Sequence, residues 1–316
     1  MTNKIGLIKI LHMVKKSLII LAIFNCFVFP AFALDSEESS DKQTTSQALD
    51  NQQDIPDWLT RTSFGLEGGS DKKLKYFIET VQPLLGTEEE IITLFNHTRL
   101  SLQDERQIFN TGFGIRKIFN ESYLLGINAF YDYQDLNKHS RGGIGFEAVN
   151  DFGLEARLNT YFRISHEQIV EDAGASQFYE KVANGFDWEV GCPIPYLSAI
   201  RLYGGGYLYD FEHFRNKAGW KSRMEYTPIK NSRLVLEMFD DNKRDDIGFR
   251  VEGVITLAFT SFNWKDILKD LKLAKEPFSK IDLNNRKLDR VVRDFDITVI
   301  KSTKSGGLVI EGGRSN

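Results

Sequence analysis

The sequence predicts an all-β protein: a transmembrane, antiparallel, up-and-down β-barrel of about 12 strands, followed by a C-terminal segment of helical and extended texture. Three observations carry this. Most of residues 58–259 alternate between apolar and polar side chains, the period of a strand with one face in oil. The polar face repeatedly sets full charges beside glycine, as a wet lumen does. Past residue 33 no apolar run is long enough for a spanning helix, so a membrane location requires strands closed on themselves, the other arrangement that satisfies every backbone group in lipid.

At the N-terminus, Lys15 and Lys16 precede an apolar run, 17–32, that closes on Ala31-Phe32-Ala33. This is the layout of a secretory signal peptide, and cleavage is expected after Ala33, removing residues 1–33. Asn25 and Pro30 interrupt the run and an acidic stretch follows it, which disfavours a membrane anchor. Cys26 lacks the small preceding residue of a lipidation site. Loss of the signal takes four lysines with it and leaves 36 basic residues against 44 acidic, a formal charge of −8 that argues against a nucleic-acid partner. Cys192 is then the single cysteine, which excludes an internal disulfide and a cysteine-built metal site; it reads as a small filler on a lipid face. Residues 34–57 are polar and acidic, too poor in bulky apolar side chains to offset ordering, and are expected to form a disordered periplasmic lead-in.

The barrel is assigned to 58–259. Strand-like runs fall at 60–68, 74–83, 90–100, 106–118, 122–133, 141–149, 152–163, 185–193, 199–209, 217–227, 232–239 and 247–259. In 123–133 the outward set is Tyr123, Leu125, Ile127, Ala129, Tyr131 and Tyr133, with Gly126, Asn128 and Asp132 inward. In 152–162, Phe152, Leu154, Ala156, Leu158 and Phe162 oppose Glu155, Arg157, Asn159 and Tyr161. In 218–226, Trp220 and Met224 oppose Lys221, Arg223 and Glu225, and in 247–259, Ile247, Phe249, Val251, Ile255, Leu257 and Phe259 oppose Arg250 and Glu252. Asp187 and Glu189 complete the expected lumen set. The run 90–100 alternates poorly, which leaves its register open by one residue.

Loop lengths follow strand parity. Links after even-numbered runs are short or moderate (119–121, 150–151, 193–198, 227–231), whereas those after the fifth, seventh, ninth and eleventh are generally longer and more polar (134–140, 164–185, 210–216, 240–246). Short periplasmic turns and long outer loops put both ends of the barrel in the periplasm. After Phe259, the stretch 260–278 has helical spacing at Ile267, Leu268 and Leu271 and is stopped by Pro277. Residues 284–295 carry Leu288, Val291, Val292 and Phe295 among Arg286, Arg290 and Arg293; 296–302 reads as extended, and 306–316 as a flexible glycine-rich end.

Four stretches resemble the inverse autotransporter barrel, the translocator domain of intimin- and invasin-type adhesins: FIETVQPLL (77–85), YLLGINAFYDYQDLNKHSRGGIGFEA (123–148), YEKVANGFDWE (179–189) and LDRVVRDFDITVIKS (288–302). The resemblance implies that the segment after the last strand, 260–305, is a pore helix and linker threading the barrel, with Leu268, Leu271, Arg290 and Arg293 among its plug residues. Inward glycines would leave it room. Members of that family usually continue into long adhesive modules, whereas this sequence ends at Asn316, so adhesion is not carried over; nor is there room in 34–57 for the carbohydrate-binding module some members place there.

The inward charges could form an ion pathway, but such sets more often pair across strands and stabilise a filled lumen. Arg290 and Arg293 need carboxylates once desolvated, with Glu155, Glu189 and Glu252 the candidates. An outer-membrane lipase would need Ser, His and a polar orienter together on the exterior. His139 and Ser140 point apart on an extended chain, and His97, His166 and His213 lie in unrelated segments, so no enzyme activity, catalytic residue, metal ligand or cofactor is expected. His139, His166 and His213 read as solvated loop histidines. Gly204-Gly205-Gly206 lacks the lysine and helix of a phosphate loop and reads as a bulge or close approach.

The expected function is therefore that of an outer-membrane barrel in a Gram-negative-type bacterium, acting as translocator and anchor for a very short C-terminal segment or persisting as a passenger-less scaffold. A small-solute porin with a periplasmic C-terminal segment is the alternative. Outer-membrane lipid and the Sec and barrel-assembly machineries are the expected partners, with any host or cell-surface ligand unspecified.

Overall fold

The computed structural model describes residues 56–70, 72–86, 91–172, 176–229, 231–257, 275–305 and 308–311. The expected signal peptide, the lead-in up to residue 55, Phe259, and the helix carrying Leu268 and Leu271 fall outside the described residues. A helical turn, Asp57–Thr60, leads into β1 (Thr62–Gly69), β2 (Lys72–Leu85), β3 (Ile92–Gln103), β4 (Arg106–Phe119), β5 (Tyr123–Gln134), β6 (His139–Asn150) and β7 (Glu155–Arg163). After β8 (Gln168–Asp172) and β9 (Ser176–Val182) come β10 (Asn184–Ile194), β11 (Leu197–Asp210), β12 (Lys217–Ile229), β13 (Ser232–Asp241) and β14 (Gly248–Thr256). A further pair, β15 (Val299–Ser305) and β16 (Leu308–Glu311), ends the described chain.

Strands β1 to β7 and β10 to β14 pair antiparallel in chain order and close, with β1 on β14 through partners such as Phe64 and Ile255. This is the twelve-stranded barrel the alternation calls for. Its outer surface is apolar and exposed, with Leu158, Trp188, Trp220 and Phe249 each more than two-fifths accessible. Its inner face buries charge: Arg99, Arg116, Arg141, Lys75 and Glu155 are among the largest fully buried side chains. A soluble barrel would invert this arrangement; lipid outside and a filled polar interior require it. Cys192 is exposed among the outward residues of β10.

Three expectations need correction, and one pair of alternatives is decided. The link 164–185, to which no strand was assigned, holds two: β8 and β9 form a hairpin within it and join a second sheet of order β16-β15-β9-β8. Strand β7 begins at Glu155, because the Asn150 side chain accepts from the Phe152 and Leu154 backbone N–H groups (3.0 and 2.8 Å) and Gly153 turns the chain at φ +81°. Of the bulge or close approach expected at Gly204-Gly205-Gly206, the close approach is found. Register on both sides is unbroken, and a Cβ on Gly205 would stand 2.1 Å from the Trp188 carbonyl, so close approach is the reason for glycine there. His139, finally, is fully buried.

The poor alternation of 90–100 also has a physical cause. Thr62, Thr80, Thr98 and Thr111 are cross-strand partners along β1 to β4 on the outward register, hydrogen-bonded in pairs at 3.0 Å (Thr62 with Thr80, Thr98 with Thr111). Pairing satisfies their hydroxyls without water, so an outward position there need not be apolar. Inward, Phe95, His97 and Arg99 keep the period of two.

Candidate functional site: the lumen and the segment against it

Residues 281–298 run along the inner wall from the rim of short turns to the rim of long loops. At the first rim, Tyr196 N–H donates to the Pro277 carbonyl (2.9 Å) and Ile281 N–H to that of Asp151 (2.8 Å), while Lys280 pairs with the Asp151 carboxylate at 2.8 Å. That carboxylate holds the exposed Lys280 ammonium above its ordinary pKa, through a hydrogen bond and charge attraction. A short 3-10 turn, Leu283–Arg286, is capped by Asp282 and seats Leu283 on Leu124 and Val149. Higher up, Val291 and Phe295 pack with Val81, Phe95 and Phe130.

Between these apolar contacts the segment is extended and irregular, so its peptide groups lack partners of their own, and lumen side chains supply them. Arg116 donates to the carbonyls of Lys287 and Asp289 (2.8 and 2.6 Å), Asn159 to that of Val292 (3.2 Å), Arg141 to that of Asp294 (2.7 Å) and Asn110 to that of Phe295 (3.0 Å). Val291 N–H donates to Nδ1 of His97 at 3.3 Å, and Asp294 N–H to the Tyr161 hydroxyl at 2.8 Å. The His97 ring is held edge-on between Phe130 and Phe295, both centroids 5.6 Å away.

Charges are matched across the same boundary. Arg293 bridges to Asp132 with contacts of 3.1 and 2.8 Å, Arg290 to Glu252 at 3.1 Å, Arg286 to Glu155 at 2.8 Å, and Asp296 accepts from Lys75 at 2.8 and 3.0 Å. Of the carboxylates foreseen for Arg290 and Arg293, Glu252 takes Arg290; Glu155 takes Arg286, and Glu189 is held by Arg223 (2.7 Å) and Arg157 (2.9 Å). Asn128, Asp132, Glu155, Asn159, Asp187, Glu189, Arg223 and Glu252 are buried inward, and Arg157, Glu225 and Arg250 stand half-buried on the same face. Among glycines, Gly143 makes the closest accommodation of the segment: a Cβ there would meet Arg293 Nη2 at 2.7 Å. Beside the segment a cavity of about 610 Å³ stays open, lined by Arg201, Glu225, Arg233, Arg286, Asp289 and Arg290 among others. Among the described residues no group of three or more His, Cys, Asp or Glu side chains could hold a metal ion.

Beyond the long-loop rim, β15 lies along β9 from Val299↔Val182 to Ser305↔Ser176 and takes β16 on its other edge. Ile300 is buried with Tyr161, Ala183, Tyr209 and Phe211. Glu180 accepts from Asn137 (2.8 Å), bonds to His139 (2.9 Å) and faces Lys301 at 3.5 Å. Burial works to raise its pKa, but the hydrogen bonds from His139 and Asn137 and the Lys301 charge outweigh it and hold the carboxyl at about 2.

The family model for the inverse autotransporter β-domain matches residues 34–294. This chain belongs to that family. Among its relatives, a putative attaching and effacing protein homolog of Escherichia coli (strain K12) is 26% identical over 199 residues, covering 62% of this chain and 64% of the relative. Invasin of Yersinia enterocolitica is 28% identical over 192 residues, 59% of this chain but 22% of invasin. The inverse autotransporter adhesin YeeJ of E. coli K12 is 29% identical over 161 residues, 49% of this chain and 6% of YeeJ. The chain thus spans under two thirds of each. A structure solved in work on in-meso crystallization of membrane proteins superposes with a TM-score of 0.59 at 19% identity, over 77% of this chain and all of that one, which speaks for the fold. An inverse autotransporter barrel with this exterior resides in the outer membrane, in contact with its lipid.

Within this inverse autotransporter barrel, several residues that hold the segment were not singled out from sequence: Lys75, Glu79, His97, Arg99, Arg116 and Arg141. Lys75 and Glu79 do carry a signal, since they alternate with Leu74, Tyr76 and Ile78. The irregular path of residues 287–298, which makes the wall's side chains into backbone partners, has no sequence signal of that kind.

Proposed function

We propose that this barrel is the translocator and anchor for its own C-terminal segment, with residues 260–305 as the plug and linker and the segment beyond β15 at the cell surface. The observation that carries this reading is the seating of residues 283–300. Inward side chains partner seven of their peptide N–H and C=O groups and pair Arg286, Arg290 and Arg293 with carboxylates, and a chain held so is expected to remain in the pore after passing through it. On this reading the short-turn rim is periplasmic, the signal peptide is removed at Ala33, and Sec and barrel-assembly machineries deliver the chain. A surface ligand would be engaged by whatever follows β15.

An epitope tag after Asn316 tests it. Accessibility to external antibody on intact cells, with raised channel conductance after deletion of 260–316, is the expected result; deletion would open the 610 Å³ cavity toward the outer rim. A tag reached only after the outer membrane is permeabilised, with unchanged conductance on deletion, would sink the reading and leave a porin with a periplasmic C-terminus.

A further inference from the structure

The hairpin β8–β9 belongs to the barrel in chain order: it rises between β7 and β10, which are neighbours in the wall through pairs such as Tyr161 with Gly185. The wall holds it on two sides. Asn137, in the turn before β6, and His139, the first residue of β6, bind Glu180, and Glu212, after β11, binds both Lys181 and Arg163. Those two cations hold the Glu212 carboxyl below its ordinary pKa by hydrogen bonding. The hairpin's anchorage to the wall therefore uses groups that precede residue 257. What β15 contributes is different: it fills the one edge of β9 that β8 does not.

Before residues 299–305 arrive, that edge is a row of unpaired peptide groups seven residues long. Beside it lie an apolar site, made by Tyr161, Ala183, Tyr209 and Phe211, and a carboxylate, Glu180. Ile300 fills the first and Lys301 faces the second. An edge with one apolar site and one adjacent acid recognises an extended segment bearing an apolar residue followed by a cation, mostly through main-chain bonds and so with wide tolerance elsewhere. Resting on the translocator reading, we infer that the β9 edge is a capture site for chain emerging from the pore: residues 299–305 add to it by strand pairing outside the membrane. Their other edge then takes β16, and backward slippage is blocked. Capture converts diffusion through the lumen into outward movement, because each pair formed outside must break before the chain can return.

The full-length chain with an epitope tag after Asn316 tests this in a pulse-chase, scoring barrel assembly by heat-modifiable gel mobility and display by external antibody. One variant deletes 168–181, leaving every barrel strand intact; a second, Ile300→Asp with Lys301→Glu, leaves the hairpin in place and removes the two recognised side chains. Both should assemble at the parent's rate and display the tag several-fold more slowly. Tyr179→Cys with Ser302→Cys, direct partners across β9 and β15, should crosslink in a Cys192→Ser background in step with tag exposure. Parent-like display by both variants would overturn the capture site alone. A parent chain that assembles yet never exposes its tag would overturn it together with the translocator reading.

Discussion

Arg293 and Asp132 meet in the lumen with both side chains almost wholly buried, 2% and 0% exposed, through contacts of 3.1 and 2.8 Å. The same carboxylate also accepts from Arg141 Nε at 2.9 Å and Asn110 Nδ2 at 2.9 Å, so one anion serves the wall and the threaded segment together. Its loss would leave two guanidiniums without their counter-ion in a poorly hydrated site.

Asp132→Ala should therefore destabilise the folded barrel by about 3–5 kcal/mol, the cost of breaking a buried pair from one side. Arg293→Met should cost less, because Arg141 still compensates Asp132. Urea unfolding followed by heat-modifiable mobility gives both values. Equal losses would mean that the wall's own pair contributes nothing.

Gly143 is expected to be a size filter for the same contact. Gly143→Val should push Arg293 from Asp132 and cost roughly 1–3 kcal/mol as overpacking, since the Thr160 carbonyl, 3.2 Å from the would-be Cβ, blocks the other direction. In an Arg293→Ala background most of that cost should vanish, giving a clear coupling in a double-mutant cycle. Additive effects would place the strain in the wall.

Leu158→Arg and Phe249→Arg put a cation on the lipid face, where each wild-type side chain is more than two-fifths exposed. Near mid-membrane each should lower stability by roughly 2–4 kcal/mol. Parent-like stability of both variants in reconstituted bilayers would contradict the assignment of that face.

The four-stranded sheet of β8, β9, β15 and β16 should loosen in acid. Glu180 titrates at about 2 against an ordinary 4.5, so its ionised form stabilises the fold fully above about 4.5, and that contribution is lost as pH falls from there toward 2. Hydrogen exchange of β9 and β15 should accelerate across that window. Glu180→Gln should flatten the dependence; an unchanged pH profile in this variant would assign the effect to another group.

The order of residues alone specifies the barrel's class, its strand number and the direction of nearly every side chain in 123–133, 155–163 and 248–256. It could do so because a strand's period of two is local: Leu158 and Asn159 take opposite faces whatever lies across the lumen. Local pattern also blurred where local rules were relaxed, as at Thr98 and Thr111, whose hydroxyls satisfy one another on the outward face. Which charges meet is set by the closed barrel. Arg293 reaches Asp132, Arg286 reaches Glu155 and Arg290 reaches Glu252 because closure and strand stagger set their heights in the lumen, and the residues between them in sequence carry no record of those heights. The hairpin at 168–182 and the burial of His139 belong to the same class, since β9 becomes a central strand and Glu180 a buried partner when residues 299–305, more than a hundred positions away, lie down beside them.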